Sequence, residues 1–531
     1  MIKKNIYKWH RIASLIIALP LFLWALSGFL HPIMTNLRPA MKTQSVPTVA
    51  LNSNRIQKPL QAVLSQNNID SIYSVRLVQI DTNWFYQLKT NKTGSLQYIS
   101  AKNGQILVRG DWLYAQYLAR IFLEGPLQHD PNESQASKQH KVGGMSSMMD
   151  CCGEATSTVL NYKRGAPISG ASLVNSFDEE YKRAYCLLPV YKVAFKRSDG
   201  IRLYVETAQD RFAVAVDNTR AAFTTFFNLM HTWAWLDFLG KGRIWIEIFF
   251  TGLAFLTALM GIYIFFTTKS KTVKGNTLVK ARRNHRYTSI IAALFTLMFT
   301  FSGCYHAFYG LKEEHNEIPT IQHAFASSSI NFDINRLEKA VQQPVVNIGL
   351  VQIQGKAYWQ VYLQNDNHNN HPKDLMKAMS ADNIKVVYLA TDDYKILPKG
   401  DEIYARYLAG KFSGHQNKSI TSTELITKFT DEYNFTDKRL PVWKINYASG
   451  DEERLYVETS TGVLAKRTND LELYEGYSFA LFHKHHYMDF AGKTTRDIST
   501  MVGAALQIIL VIVGLVLYFR WRKRKRASKH A

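Results

Sequence analysis

Cysteine is scarce in this 531-residue chain: four residues, at 151, 152, 186 and 304. That is too few for a disulfide framework, and it leaves the redox compartment open. No Cys-x-x-Cys-His run occurs, which excludes a thioether-linked haem. No Gly-x-Gly-x-x-Gly occurs either, so the chain has no dinucleotide fingerprint and cannot draw electrons from a nicotinamide by itself. Acidic residues are also short, 42 against 64 Lys and Arg, for a net charge of +22.

The location of that charge decides its meaning. Residues 1–11, 267–286 and 520–531 contain eighteen Lys and Arg and no Asp or Glu, which leaves about +4 for the rest. Each basic cluster abuts one of four apolar runs, near 12–34, 244–266, 287–308 and 498–519. Each run is close to the ~20 residues that cross ~30 Å of hydrocarbon. Four crossings put all three clusters on one side, so the positive-inside rule predicts cytoplasmic termini and two large outer loops. Topology and anionic membrane lipid account for the charge, and no nucleic-acid partner is expected. The first run is too long for a signal peptide and lacks a small-x-small cleavage site, so a retained anchor is expected.

The chain also repeats itself. His10-Arg11, Ser27-Gly28 and His31 recur 275 positions later as His285-Arg286, Ser302-Gly303 and His306. LPVYK, RLYVET, His231 and DFLGK recur 252 positions later as LPVWK, RLYVET, His483 and DFAGK. Each half therefore reads as span, outer α+β unit, span, with loop insertions shifting the offset. YSVRLVQI, NWFYQLKT and KAYWQVYLQ alternate as half-buried strands, Asn103-Gly104 reads as a hairpin turn, and DWLYAQYLARIF reads as a helix. An even number of spans separates the halves, so a pseudo-two-fold axis along the membrane normal is expected.

The HR-x15-SG-x2-H first span, the NGQIL-type modules and the LMH…GKGR lead into the second span resemble the PepSY-associated transmembrane (PepSY_TM) family. Its inner-membrane members include haem-containing reductases of ferric siderophores. The resemblance implies a membrane protein of α+β class, a four-helix bundle from two tandem repeats with PepSY-like outer modules. The expected parts are spans at 1–34, 241–267, 285–309 and 497–520, periplasmic modules at 35–240 and 310–496, a basic linker at 268–284 and a basic tail at 521–531.

Independently of the family, the histidines carry chemistry. His10 and His31 are 21 residues apart, about 31 Å along a helix, so they cannot share one metal. At ~100° per residue both still face the same side, and the same holds for His285 and His306. Two-fold pairing would bring His10 to His285 near one surface and His31 to His306 near the other. Imidazoles facing each other between apolar helices are what a b-type haem requires. Gly28 and Gly303, three residues before His31 and His306, would let a flat ring approach the backbone. His231 and His483 precede the second and fourth spans and are alternative ligands at the outer site, whereas His485 and His486 read as solvated neighbours. Two haems are expected, one per face.

Two further features have bland readings. Residues 124–160 are an insertion holding His140, Met145, Met148, Met149, Cys151 and Cys152, soft ligands in no defined spacing, read as a surface loop. Glu247 near the mouth of the second span reads as an ion-pair partner of Arg243. The expected function is an inner-membrane di-haem reductase fed by a quinol or a cytoplasmic reductase, with a ferric siderophore as the acceptor implied by the resemblance. The alternatives are a non-enzymatic PepSY binding or regulatory protein, an electron carrier for another periplasmic acceptor, and a siderophore permease, the last disfavoured because four spans leave little room for a large solute.

Overall fold

The computed structural model describes residues 2–51, 53–125, 165–268, 277–312, 318–364, 384–414, 419–448 and 452–530. The insertion ligands at 140–152 lie outside these residues. The chain divides into two compact units. A membrane unit comprises Met1–Arg38, Thr219–Asn316 and Asp470–Ala531, and a head unit comprises Pro39–Asn218 and Glu317–Asn469.

Four helices of the membrane unit are long and apolar enough to cross a bilayer: Ile2–Asn36, Lys241–Thr267, Thr277–Gly310 and Lys493–His530. The chain is a multi-pass membrane protein. The first and third spans each pack against the second and fourth, so the four close into a ring with the first and third on one diagonal. Ala13, Ile17, Leu21 and Ala25 recur every four residues along the first span and are buried, an inward stripe of helical period. Large side chains such as Leu19, Leu294 and Phe266 point outward, as a lipid-facing surface requires. The third span lines the interior with Ala292, Ala293, Thr296, Thr300 and Ser302. Thr296 and Thr300 return their hydroxyls to the carbonyls of Ala292 and Thr296, at 2.9 and 2.6 Å, so both buried hydroxyls are satisfied. Small residues and self-satisfied hydroxyls make a lining that is apolar in effect.

The third span begins at Thr277, well before the expected residue 285, and carries Lys280, Arg282 and Arg283 as helix. The other boundary difference is larger. The head unit ends at Asn218, and the helices Asn218–Met230 and Asp470–Ser478, read as parts of the outer modules, belong with the membrane unit.

Each half of the head unit has two antiparallel sheets. In the first half they are β2 (Ser74–Ile80), β3 (Asn83–Lys89) and β4 (Gln97–Ser100), then β5 (Ile168–Val174), β6 (Val190–Phe195), β7 (Arg202–Glu206) and β8 (Arg211–Val216). In the second they are β10 (Val345–Ile353), β11 (Lys356–Gln364), β12 (Ile384–Ala390) and β13 (Ile396–Leu397), then β14 (Ile420–Ile426), β15 (Val442–Tyr447), β16 (Arg454–Glu458) and β17 (Val463–Thr468). Helices Gly110–Glu124 and Gly400–Ser413 follow the first sheet of each half. Both helices begin on a glycine because a Cβ would stand 2.6 Å from Tyr98 at Gly110 and 2.5 Å from Tyr388 at Gly400. The two tyrosines then donate to Asp111 and Asp401, at 2.9 and 2.8 Å.

One core joins the halves of the head. Leu60, Leu64, Tyr86 and Leu88 pack in the same cluster as Leu337, Ile348, Trp359 and Leu363. β1 (Ser71–Ile72) pairs with β9 (Phe325–Ala326), and Leu77 N donates to Asn347 Oδ1 at 3.0 Å. A buried charge network spans the same seam. Glu458 receives Arg211 and, at 2.8 Å, Arg439, and Arg211 also reaches Glu206 at 3.2 Å. Burial alone would raise the Glu458 carboxyl, but the two guanidinium groups outweigh it and hold the carboxyl below its ordinary range.

Candidate functional site

The histidines of the membrane unit collect at its two ends. At the end where the chain passes to the head, His231 and His483 meet directly, with ring centroids 6.0 Å apart and planes at 85°. His231 follows the helix Asn218–Met230, and His483 closes a π-helical turn, Phe479–His483, in which Lys484 N–H reaches back to Phe479 O at 3.1 Å. The extra residue in that turn re-aims the following side chain.

Each ring is pinned through Nδ1 by a serine of a neighbouring span. Ser27 Oγ lies 3.0 Å from His231 Nδ1, and Ser302 Oγ lies 3.2 Å from His483 Nδ1. Ser27 already donates its proton to Leu23 O at 2.7 Å, and Ser302 donates to Met298 O at 2.9 Å. Each hydroxyl has only one proton, so it must accept from the imidazole. With the hydroxyl proton assigned to that carbonyl, Nδ1–H is the donor in each ring and Nε2 keeps its lone pair, the tautomer suited to a metal.

The spacing is that of an edge-to-face ring contact, and it is also compatible with two ligands of one iron. Two metal–imidazole bonds of about 2 Å each, plus two ring radii of about 1 Å, place the centroids of two axial imidazoles about 6 Å apart. The surroundings fit a flat macrocycle. A Cβ at Gly28 would meet nothing within 4 Å, and one at Gly303 would touch His483 Cε1 and Thr251 only at 4.0 Å. Among the described residues no group of three or more His, Cys, Asp or Glu could hold a metal ion.

His31 and His306 do not pair with each other as two-fold pairing predicted. His31 packs on Phe227 at 5.2 Å, and Phe227 stacks on His231 at 4.5 Å. His306 packs on Phe479 at 4.6 Å, and Phe479 stacks on His483 at the same distance. Each of these histidines thus shares a phenyl ring with one member of the central pair. His306 is also tied through Nδ1 to Glu475 Oε1 at 2.7 Å, with 60% of its side chain exposed. The four rings form one cluster, with His231 and His483 at its centre.

At the other, basic end lie His10 of the first span and His285 of the third. His10 leans on Gly261 of the second span, where a Cβ would sit 3.6 Å from its ring. His285 leans on Gly514 of the fourth span, also at 3.6 Å. His10 Nδ1 lies 3.4 Å from Ser14 Oγ, whereas His285 Nδ1 is buried without a hydrogen-bond partner.

His485 is not a solvated neighbour. It is 0% exposed, stacks on Phe299 at 5.3 Å and 7°, and holds Ser499 Oγ at 2.9 Å through Nδ1. Its place corresponds to Trp233 in the first half, which stacks on Trp24 at 4.9 Å and 3°. The left-handed backbone at both positions, φ 54° at His485 and 47° at Trp233, turns the side chain inward. His486, by contrast, pairs with Asp489 at 2.8 Å near the surface. Arg243 approaches Glu247 at 3.9 Å and is held more closely by Asp237 at 3.2 Å.

The sequence pattern pointed to Ser27, Ser302, His231 and His483 by their recurrence, but gave the serines no role. Gly261 and Gly514 went unnoticed, although each follows an apolar stretch at a matching depth of its span. No curated protein matches the chain. The family profile described as PepSY-associated TM region matches residues 7–329, more than half of the sequence. With four spans, paired histidines and antiparallel head sheets already on hand, the chain belongs to the PepSY-associated TM region family.

Proposed function

We propose that the protein is a b-type di-haem oxidoreductase of the bacterial inner membrane, passing electrons across the bilayer to a ferric siderophore in the periplasm. The observation that carries this reading is the His231–His483 pair, whose 6.0 Å separation suits two axial ligands of one iron. His10 and His285 would hold the second haem at the basic end. Bound at these positions, haem supplies one-electron exchange at each end of the bundle.

The chain's own residues orient the ligands, exclude water with apolar walls, leave open space beside Gly28 and Gly303, and seat the His10 and His285 rings against Gly261 and Gly514. The basic clusters support cytoplasmic termini and a periplasmic head. Electrons would enter from a quinol or a cytoplasmic reductase, since the chain carries no dinucleotide fingerprint. The siderophore is substrate, and its iron is released on reduction because Fe(II) binds hard oxygen ligands less tightly.

The test is a reduced-minus-oxidised absorption spectrum of the purified full-length protein with a haem count per chain. Two b-type haems, of which His231→Ala or His483→Ala removes one and His10→Ala or His285→Ala removes the other, would support the assignment. Dithionite-reduced protein should then pass electrons to a ferric siderophore. Colourless protein from haem-replete cells would sink the proposal.

A further inference from the structure

We infer that Arg11, Arg286 and Lys484 are the positions that bind the porphyrin carboxylates, two at the basic end and one at the head end. The inference rests on the di-haem reading and adds the residues that orient each macrocycle. A b-type haem carries two ionised carboxylates, which cannot be left in hydrocarbon and must leave the bundle at its ends. Three cations stand directly after a candidate ligand: His10-Arg11, His285-Arg286 and His483-Lys484.

All three are held by aromatic faces or carbonyls. The Arg11 guanidinium lies over the Trp521 ring of the fourth span at 4.5 Å. Arg286 donates to Phe265 O at 2.5 Å, lies over the Phe265 ring at 4.8 Å, and keeps a buried Nε without a partner. Lys484 Nζ lies 5.2 Å from the centre of Phe479, the ring that stacks on both His306 and His483.

None of the three has an acidic side chain at ion-pair distance among the described residues. Two arginines at the head end already pair with carboxylates. Arg243, bound to the Thr232 carbonyl beside His231 at 2.6 Å, pairs with Asp237, and Arg496 pairs with Asp489 at 2.8 Å. The position after His231 thus offers no free cation, which makes the two ends unequal. Arginine at the basic end can grip a carboxylate through two parallel bonds, whereas lysine offers a point charge. The same cations could instead serve anionic lipid phosphates, and the experiment separates the two sources.

Full-length apoprotein in phosphatidylcholine nanodiscs, which lack anionic lipid, is titrated with haem b and with its dimethyl ester while the Soret band is followed. The ester keeps the macrocycle and the iron but has no carboxylates. Wild type should bind two haems. Arg11→Gln with Arg286→Gln should weaken one of them, and Lys484→Gln the other, each on the order of ten- to hundred-fold. The ester should bind wild type and variants alike, and Arg286→Lys should restore part of the loss. Equal loss of haem and ester would mean that the cations only brace the helices, and unchanged haem affinity would give them to lipid; either overturns the inference. If wild type takes up neither porphyrin, the di-haem reading falls and this inference with it.

Discussion

His231 and His483 come from opposite halves of the chain, yet their rings meet at 6.0 Å and 85°. Neither ring is placed by its own helix alone. Ser27 of the first span and Ser302 of the third hold the Nδ1 atoms and so decide which nitrogen is free.

That dependence makes the serines measurable. Ser27→Ala or Ser302→Ala removes the acceptor that orients its histidine without touching the ligand nitrogen. Loss of such an outer partner costs about 10- to 100-fold in metal affinity. The double variant should lose the head-end haem while the basic-end haem remains, read as half the wild-type haem content. Full retention of both haems would show that the hydroxyls do not orient ligands.

Gly261 and Gly514 admit a graded test. A Cβ at either position would lie 3.6 Å from the imidazole of His10 or His285, which is ordinary contact. Gly261→Ala should therefore leave the haem content within about 20% of wild type. Gly261→Leu must displace the His10 ring, since overpacking costs about 1–3 kcal/mol and forces a shift of the neighbour. Its basic-end haem should be lost first, seen as halved Soret absorbance at unchanged protein yield.

The pattern of what could be read in advance has a physical cause. KAYWQVYLQ alternates strictly and became β11 with the same ends, Lys356–Gln364, because side-chain period is a local property. Lys241–Thr267 was equally legible because length and hydropathy decide a span. The partner of His31 was not legible. Helical arithmetic fixes which face a residue occupies but says nothing of a phenyl ring such as Phe227, which packs on His31 from a segment some two hundred residues away. His485 was misjudged for a related reason. Its neighbours His486 and Asp489 are polar, and only the left-handed backbone at φ 54° turns this one ring into the bundle.

His485 supplies a stability prediction. Its imidazole is fully buried against Phe299, Phe295 and Tyr487. His485→Ala leaves a cavity and should cost about 2–4 kcal/mol, by analogy with large-to-small core changes. His485→Phe keeps the stack on Phe299 and should recover most of it. A thermal melt of the detergent-solubilised protein that fails to rank the two variants in that order would contradict this placement.

The head unit should be acid-labile in a defined window. Burial opposes ionisation of Glu180, but Arg202, Tyr204 and Lys192 outweigh it and pull its carboxyl down to about 2. Glu432 and Glu458 are likewise held below their ordinary 4.5. A carboxyl with a lower value in the folded than in the unfolded state stabilises the fold above the unfolded value, and that contribution is lost as pH falls through the folded one. Unfolding temperature should thus be flat above about pH 5 and drop between about pH 4.5 and 2. Glu180 is partly exposed, so after solvent screening its share is about 1–2 kcal/mol. Glu180→Gln should melt earlier at pH 7 and show a shallower acid slope. Glu458→Ala should be worse at every pH above that window, because it leaves Arg211 and Arg439 to share the single carboxylate of Glu206, at 3.2 and 3.8 Å, with one buried positive charge uncompensated, and breaking a buried pair from one side costs about 3–5 kcal/mol. A melt at pH 7 in which Glu458→Ala equals wild type would mean that the charges at the seam between the halves find water, and that the apolar core alone holds the head together.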